Sequence, residues 1–245
     1  MKKISRQFQI KTLFVAILLA GTTLSCSGQK HQPNTTINSK NMQLPKVSGD
    51  FEKLDLNELK AKANKSHGTK ILPDRKAIEI EVYDYQFQAE NGDNIRFSGD
   101  NYGEYRLEQR ISNAYFNLIK IYHQNGNVKS KGLEFNVLYG TFKKGIWYSF
   151  NPEGKLTSTI DYDTPFKFTF EQLVQFLEQE KIPLKKGPIP QNPGYLTSIK
   201  RAVSDNQSPV WQVSWLKAPD KIEDIVISGI TGKVMSRRIR NYINN

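Results

Sequence analysis

The amino-acid sequence predicts an α+β fold, in which an antiparallel, hairpin-repeat β-part precedes a small unit of one helix and three strands. Short runs of alternating apolar and polar residues, separated by turn residues, fill positions 76–160. A capped amphipathic helix near residue 170 is then followed by three further apolar runs. These observations place helix and strand in different parts of the chain, as in an α+β protein.

The composition excludes several classes of protein. The chain has 245 residues, 38% hydrophobic and 11% aromatic, which is enough to bury a core and argues against overall disorder. No apolar run reaches the ~20 residues of a membrane-spanning helix, which excludes a polytopic membrane protein. One cysteine excludes a disulfide scaffold, and three scattered histidines do not predict a metal site. No metal and no other cofactor is therefore expected.

The start of the chain predicts a secretory signal peptide over residues 1–26. Basic residues precede a short apolar segment at 13–20, and Thr23-Leu24-Ser25-Cys26 follows. This tetrapeptide resembles a bacterial lipobox, although Thr23 stands where a leucine is usual. The resemblance implies that Cys26 is acylated, for example with palmitate, and becomes the N-terminus of a lipoprotein. The alternative is an ordinary signal peptide with a chance cysteine.

An exported, lipid-anchored chain belongs to the cell envelope. No acidic run follows Cys26, which favours a periplasm-facing anchor. Removing the four basic residues of positions 1–25 from the 35 leaves 31 Lys and Arg against 24 Asp and Glu, a net charge of +7. The expected partners are the membrane, through the N-terminal lipid, and a protein. Anionic lipid and glycan stay open as further partners, and nucleic acid is excluded for an exported chain.

The mature chain divides into three predicted parts. Residues 27–54 are polar and predict a flexible tether. A β-rich region at 55–165 opens with a helix at 56–64, which Ser66-His67-Gly68 ends. An α+β unit covers residues 166–245.

Strand patterns fill the β-rich region. In its first strand the apolar positions change from Ile80 and Val82 to Tyr83 and Tyr85, which predicts either a bulge or a strand covered on both faces. Two later units, at 119–129 and 147–156, each contain aromatic residues, a turn ending in glycine and then an aliphatic residue. The region 119–163 resembles the MORN-like hairpin repeats of bacterial proteins, some of them antitoxin-like. The resemblance implies a hairpin module for recognition.

The last unit begins with a helix. Thr169 and Gln172 form a predicted capping box. The apolar face consists of Phe170, Leu173, Val174 and Leu177. A Pro- and Gly-rich linker at 185–194 separates the helix from three predicted strands. These strands cover 195–203, 210–216 and 222–230.

A turn after the third predicted strand has a recognisable pattern. Thr231-Gly232-Lys233-Val234, together with the preceding helix and strands, resembles a PepSY domain over most of 168–235. Ser228 stands where this family commonly has an aspartate. The resemblance implies a small α+β module of exported proteins, associated with inhibition or restraint of partners, and it implies no catalytic residues.

Two groups of residues are candidate partner surfaces. Exposed Tyr and Trp are common interface anchors, and a basic cluster can bind acidic groups. The candidates are Tyr122, Trp147, Tyr148, Arg237, Arg238 and Arg240. The alternatives are a core role for the aromatic residues and an edge strand protected by charge for the arginines.

The sequence contains no catalytic constellation, so we predict a non-enzymatic protein that binds another protein. An inhibitor or immunity protein is the most specific form of this prediction. Asp161 and Asp163 share one face of a strand, which allows a carboxylate pair directed at a glycan. The alternative function is therefore a peptidoglycan- or polysaccharide-binding protein, or a structural lipoprotein of the envelope.

Replacing Cys26 tests the lipid anchor. The change Cys26→Ala removes the thiol that the lipobox resemblance assigns to acylation. We expect loss of fatty-acid labelling and release of the protein from the membrane into the periplasm, because the acyl chains supply the anchor. Metabolic labelling and membrane fractionation measure these two effects. Labelling that persists in the variant would contradict the assignment.

Overall fold

A computed structural model of the chain describes residues 44–136, 142–190, 193–204 and 206–242. The predicted signal peptide, with Cys26, and most of the predicted tether lie outside the described residues. Residues 40–245 form one compact unit. The described part contains two antiparallel sheets and two helices. None of its helices has the length and apolar character needed to cross a bilayer.

A large sheet contains eight antiparallel strands in sequence order, so each strand pairs with its neighbours along the chain. The helix α1 (Leu56–Lys62) precedes this sheet. The strands of the large sheet are β1 (Asn64–Ile71), β2 (Ala77–Gln88), β3 (Asn94–Asp100), β4 (Tyr105–Arg110), β5 (Phe116–Tyr122), β6 (Val128–Phe135), β7 (Lys143–Phe150) and β8 (Leu156–Asp161). The predicted antiparallel, hairpin-connected β-part is confirmed at this level.

The helix α2 (Phe170–Gln179) leads into a smaller antiparallel sheet. Its strands are β9 (Ser198–Val203), β10 (Pro209–Ala218), β11 (Lys221–Ser228) and β12 (Val234–Asn241). The predicted three strands are thus four, because the chain returns along β11 after the turn at Gly232. The α+β label fits only weakly, since the described part is mostly antiparallel sheet with two helices.

The first helix ends earlier than the sequence predicts. Asp55 caps it, because its carboxylate accepts hydrogen bonds from two backbone N–H groups of the first turn. The helix ends at Lys62 and β1 begins at Asn64, so the predicted stop Ser66-His67-Gly68 lies inside a strand. Pairing with β2 supplies backbone hydrogen bonds that outweigh the weak local preference of these residues.

The apolar residues of strand β2 change face along the strand, for which the sequence allows either a bulge or cover on both faces. Its register is unbroken against both β1 and β3, so no bulge lies in it. Tyr83 is buried on the core side, while Ile80 and Val82 are half-buried on the opposite side. The strand is therefore covered partly on both faces, as the second alternative predicts.

Three hairpins of the described residues share one bulged form. Each turn ends in a glycine with positive φ, at Gly126 (82°), Gly154 (87°) and Gly232 (73°). An aliphatic residue follows two positions later, and the next residue is extra in the register of the returning strand. The extra residues are Lys129, Thr157 and Met235. The MORN-like and PepSY-like sequence patterns thus form the same local structure, in which glycine supplies the left-handed backbone.

The predicted capping box of α2 is present. The Thr169 hydroxyl accepts a hydrogen bond from the Gln172 N–H at 3.3 Å, and the Gln172 side chain accepts one from the Thr169 N–H at 2.8 Å. The indole N–H of Trp211 donates to the Phe168 carbonyl at 2.9 Å, just before the helix. These bonds fix the start of α2 beside the small sheet. The four predicted apolar residues of α2 are all buried.

The two sheets and α2 share one hydrophobic core. Its buried residues come from β5 and β6 of the large sheet, from α2, and from β9, β10 and β11 of the small sheet. The central aromatic residues are Phe116, Phe135, Phe142, Phe170 and Trp211. Both predicted parts of the chain, 55–165 and 166–245, therefore contribute to the same core.

Residues 44–54, the end of the predicted tether, lie along the large sheet. Lys131 on β6 is 1% exposed and donates to the Asp50 carbonyl at 2.6 Å and to the Glu52 carboxylate at 2.5 Å. Burial raises the pKa of Glu52, but hydrogen bonds from Lys120 and Lys131 outweigh it, so the pKa is lowered. This ion pairing holds the segment in place before α1.

Removing one ring from the shared core tests whether the sheets unfold together. Phe170→Ala deletes a side chain that touches both sheets, so we expect a loss of about 3–5 kcal/mol in the free energy of unfolding. Urea unfolding measures the loss, and hydrogen exchange should show lower protection in both sheets. Glu178→Ala, on the exposed side of α2, is the control and should cost less than about 0.5 kcal/mol. Lower protection in one sheet alone would contradict a shared core.

Candidate functional site

Two of the predicted surface aromatics lie inside the protein. Tyr122 is 2% exposed and Trp147 is 6% exposed. The Trp147 ring lies over Gly132, where a Cβ atom would overlap it, and its indole N–H donates to the Leu133 carbonyl at 3.0 Å. Neither side chain is therefore available as an exposed anchor, and the core alternative describes both. Tyr148 is half-buried against a second apolar cluster beneath α1.

The three predicted arginines lie on β12, at the edge of the small sheet. Arg237 donates to Glu180, at the end of α2, at 2.7 Å. Arg240 donates to Asp224 on the neighbouring strand at 2.8 Å. Arg238 is exposed between them. Two of the three guanidinium groups thus stabilise the fold, and Arg238 faces solvent.

Asp161 and Asp163 do not form a free carboxylate pair. The Asp161 carboxylate accepts hydrogen bonds from the Asp163 N–H at 2.9 Å and the Thr164 hydroxyl at 3.0 Å, so it caps a turn. Asp163 pairs with Arg201 at 2.5 Å and with Lys144 at 3.1 Å. Burial raises the pKa of Asp163, but the hydrogen bond from Arg201 and the charge of Lys144 outweigh it and lower the pKa.

Arg201 connects this carboxylate to the core. Its guanidinium also donates to the backbone carbonyls of Lys143 at 2.9 Å and Tyr162 at 2.7 Å. The same group lies 4.8 Å from the ring centre of Trp211, a cation–π distance. The arrangement ties both ends of the β7–β8 hairpin to the small sheet, so these charges have a structural role.

A pocket lies on the face of the large sheet that is opposite to the shared core. Strand register places charged side chains of β2, β3, β4 and β6 together on this face. The cavity volume is about 410 Å³, and residues 188–190 form one wall. The charged residues that line it, termed the outer-face cluster, are Asp84, Arg96, Arg106, Glu108, Arg110 and Glu134.

Each arginine of the outer-face cluster is paired with an acid. The pairs are Arg96 with Asp84 at 2.7 Å, Arg106 with Glu134 at 2.8 Å, and Arg110 with Glu108 at 3.1 Å. The hydrogen bond from Arg96 lowers the pKa of Asp84. The cluster thus balances three positive against three negative groups, and its partly exposed side chains offer donors and acceptors side by side.

Two side-chain amide oxygens of residues that line the pocket have no hydrogen-bond partner among the described residues. They are the side-chain carbonyl oxygens of Asn117 and Asn136, and both atoms are buried. Asn136 is 7% exposed, and its amide nitrogen donates to the Ala114 carbonyl at 2.6 Å. Gly187 packs against this amide, because a Cβ there would lie 2.7 Å from its nitrogen. A buried acceptor without a donor costs free energy, so these two oxygens lower the stability of this part of the fold.

Sequence reasoning missed the outer-face cluster. Its members are spread over positions 84–134 and meet only through the register of neighbouring strands. One local signal was present: Arg106, Glu108 and Arg110 alternate with Leu107 and Gln109, which predicts a strand with one charged face.

No protein-family model, no curated protein and no solved structure matches the chain. The MORN-like and PepSY-like resemblances therefore stay predictions from the sequence. Across the described residues, no three His, Cys, Asp or Glu side chains are placed to hold a metal ion. The geometry of the outer-face cluster is suited to binding polar groups.

Neutralising Asp163 tests the structural role of its ion pairs. Asp163→Asn leaves Arg201 buried without its anion, so we expect a loss of about 2–3 kcal/mol at pH 7, less than for a fully buried pair. The folded-state pKa of Asp163 is lowered, so its contribution is present above the unfolded value of about 3.9 and is lost as the pH falls through the lower folded value. Unfolding in urea from pH 7 to pH 3 measures both effects.

The control for this prediction is Asp161→Asn, which changes the neighbouring carboxylate of the turn. We expect the difference between wild type and Asp163→Asn to shrink toward pH 3. A difference that stays constant with pH would contradict a contribution from the ionised carboxylate.

Proposed function

We propose that the chain is a non-enzymatic lipoprotein of the cell envelope that binds a protein partner, as an inhibitor or immunity protein. The observation that carries the binding role is the outer-face cluster with its pocket. The predicted signal peptide and the lipobox resemblance at Cys26 support the membrane anchor. The partner would meet the domain on the periplasmic side.

The chemistry of the pocket supports a partner with mixed polar groups. Guanidinium and carboxylate groups alternate across it, and they are partly exposed. A protein loop carrying both charges can exchange these pairs for its own, which gives specificity for a matching partner.

The glycan alternative has less support from the carboxylates on which the sequence prediction rests. Asp161 caps a turn, and Asp163 is held by Arg201 and Lys144. A carboxylate pair for glycan chemistry needs free oxygen atoms on both groups. The alternative then depends on the same outer-face pocket, and the experiment below distinguishes it from protein binding.

A crosslinked pull-down from cell envelopes tests the proposal. Two variants each remove two arginines and so change the net charge equally: Arg96→Ala with Arg106→Ala in the pocket, and Arg238→Ala with Arg240→Ala on β12. We expect the pocket variant to lose its captured protein at least about tenfold, because one anchoring arginine contributes about 2 kcal/mol. Mass spectrometry of the captured material measures the loss relative to wild type.

The outcomes separate the alternatives. Loss of the partner in the β12 variant alone would show that the partner binds the arginines of β12 and not the pocket. Capture of peptidoglycan-linked material in place of a protein would favour the glycan alternative. Unchanged sensitivity of a deletion strain to toxins would contradict the immunity role.

The exposed ion pairs of the outer-face cluster contribute about 0–1 kcal/mol each to stability, so the pocket variant should stay folded.

A further inference from the structure

Strand β12 forms an open edge of the small sheet. It pairs with β11 on one side, and no other strand of the described part lies on its other side. Residues 235–241 of this strand are exposed. The bulge lies at Met235, and residues 236–241 pair regularly with β11. An edge strand presents unpaired backbone N–H and C=O groups, so a further strand can add to residues 236–241.

The two faces of β12 have different chemistry. Arg237 lies opposite Ile225 of the shared core, so Arg237 and Ile239 lie on the side of α2. Ile239 is 55% exposed there, which leaves apolar surface in water. Arg238 and Arg240 lie on the other face and are exposed. A strand added to β12 therefore meets an apolar side chain on one face and two guanidinium groups on the other.

The edge strands of the two sheets differ in charge. Strand β12 carries three arginines and no acid, while β1 and β9 each carry two basic residues and no acid. Strand β8, the open edge of the large sheet, has no charged side chain from 156 to 160. Like charges opposite each other destabilise a pair of strands, whereas opposite charges stabilise it. The arginines of β12 therefore oppose pairing with a basic strand and favour pairing with an acidic one.

The arginines of β12 keep hydrogen-bond donors for a second acid. Arg240 donates from Nε to Asp224, and a guanidinium has five N–H groups. Arg238 is exposed on the same face. Two carboxylates of an added strand, two residues apart, would lie opposite Arg238 and Arg240, since alternate residues of a strand share a face. Arg237 stays bound to Glu180 at the end of α2.

Neither a second copy nor the tether of this chain matches the charge of β12. An antiparallel pair of two β12 strands, centred anywhere from 237 to 240, places arginines opposite or diagonal to each other. The basic strands β1 and β9 of a second copy meet the same repulsion. Residues 27–43 contain two lysines and no Asp or Glu. The occupant that the charges favour is therefore an acidic strand of another molecule.

We propose that β12 binds an extended acidic segment of a partner protein by strand addition. The segment has Asp or Glu at alternate positions, opposite Arg238 and Arg240, and an apolar residue between them opposite Ile239. Main-chain hydrogen bonds supply the affinity, and the alternation supplies the specificity. This site lies on the small sheet and is separate from the outer-face cluster of the large sheet.

A synthetic peptide tests the site in the full chain, purified in detergent. The probe Thr-Glu-Val-Glu-Val-Glu-Thr carries its acids on one face and its valines on the other. We expect it to bind at least about tenfold more tightly than Glu-Glu-Glu-Thr-Val-Val-Thr, which has the same composition without the alternation. Fluorescence anisotropy of the labelled peptides measures both affinities. Binding of the probe should weaken between about 0.05 and about 0.5 M salt, because the charges are exposed.

Charge reversal on β12 identifies the surface. Arg238→Glu replaces an attraction by a repulsion, so we expect about tenfold weaker binding of the acidic probe. This variant should bind the basic peptide Thr-Lys-Val-Lys-Val-Lys-Thr more tightly than wild type does. Arg238→Gln removes the charge without reversing it, so its affinity for the acidic probe should lie between the two. It decides the test should Arg238→Glu fail to fold.

The matched control is Lys200→Glu on β9, which reverses a charge on the same face at the opposite edge of the small sheet. Three strand spacings, about 14 Å, separate it from β12, which exceeds the screening length of about 8 Å at physiological salt. The control should therefore bind the acidic probe within about twofold of wild type.

Hydrogen exchange shows whether the peptide adds as a strand. Strand addition should slow amide exchange in residues 236–241 and leave β9 unchanged, because new main-chain hydrogen bonds form only along β12. The pocket variant, Arg96→Ala with Arg106→Ala, should bind the probe as wild type does. In the pull-down from envelopes, a protein held by β12 would be lost in the β12 variant and kept in the pocket variant. The two surfaces are thus tested independently.

Equal affinity for the two acidic peptides would overturn the inference, since it would indicate attraction by charge alone. An equal loss of binding in Arg238→Glu and Lys200→Glu would do the same. Binding of the protein to vesicles of anionic lipid, without binding of the probe, would assign the arginines to a membrane surface and would also overturn it.

Discussion

The fold depends on the aromatic contacts that join the large sheet, α2 and the small sheet. The ring centres of Phe116 and Phe170 are 4.9 Å apart, and those of Phe142 and Trp211 are 5.4 Å apart. Neither sheet can bury its apolar face without such a layer, since an isolated sheet leaves that face in water. Arg201 lies over the rings of Phe142 and Trp211 and binds the end of the β7–β8 hairpin. Apolar burial and charge pairing therefore meet at one place, which fixes how the two sheets are joined.

The parts of the fold that could be predicted from the sequence are those with local causes. Gly126 and Gly154 end their turns because a left-handed backbone is needed there, and Thr169 and Gln172 begin α2 because their side chains satisfy its first N–H groups. The early end of α1 and the start of β1 depend on pairing with a neighbouring strand, which overrides local preference. No sequence window contains that information.

The candidate site, like the fold, could be predicted from the sequence only where its causes are local. Tyr122 and Trp147 have the chemistry of interface anchors whether they face solvent or a core, and the absence of a side chain at Gly132 is what lets Trp147 lie inside. The outer-face cluster draws residues from four strands, so it exists only once the register is set. Sequence reasoning could predict a charged face at Arg106 and Glu108, but not their neighbours across the sheet.

The two surfaces on the large sheet have complementary chemistry. The arginines of the outer-face cluster are already paired, so a partner must replace existing ion pairs, which favours specificity over affinity. The open edge of β8 offers main-chain pairing without charge, which favours affinity over specificity.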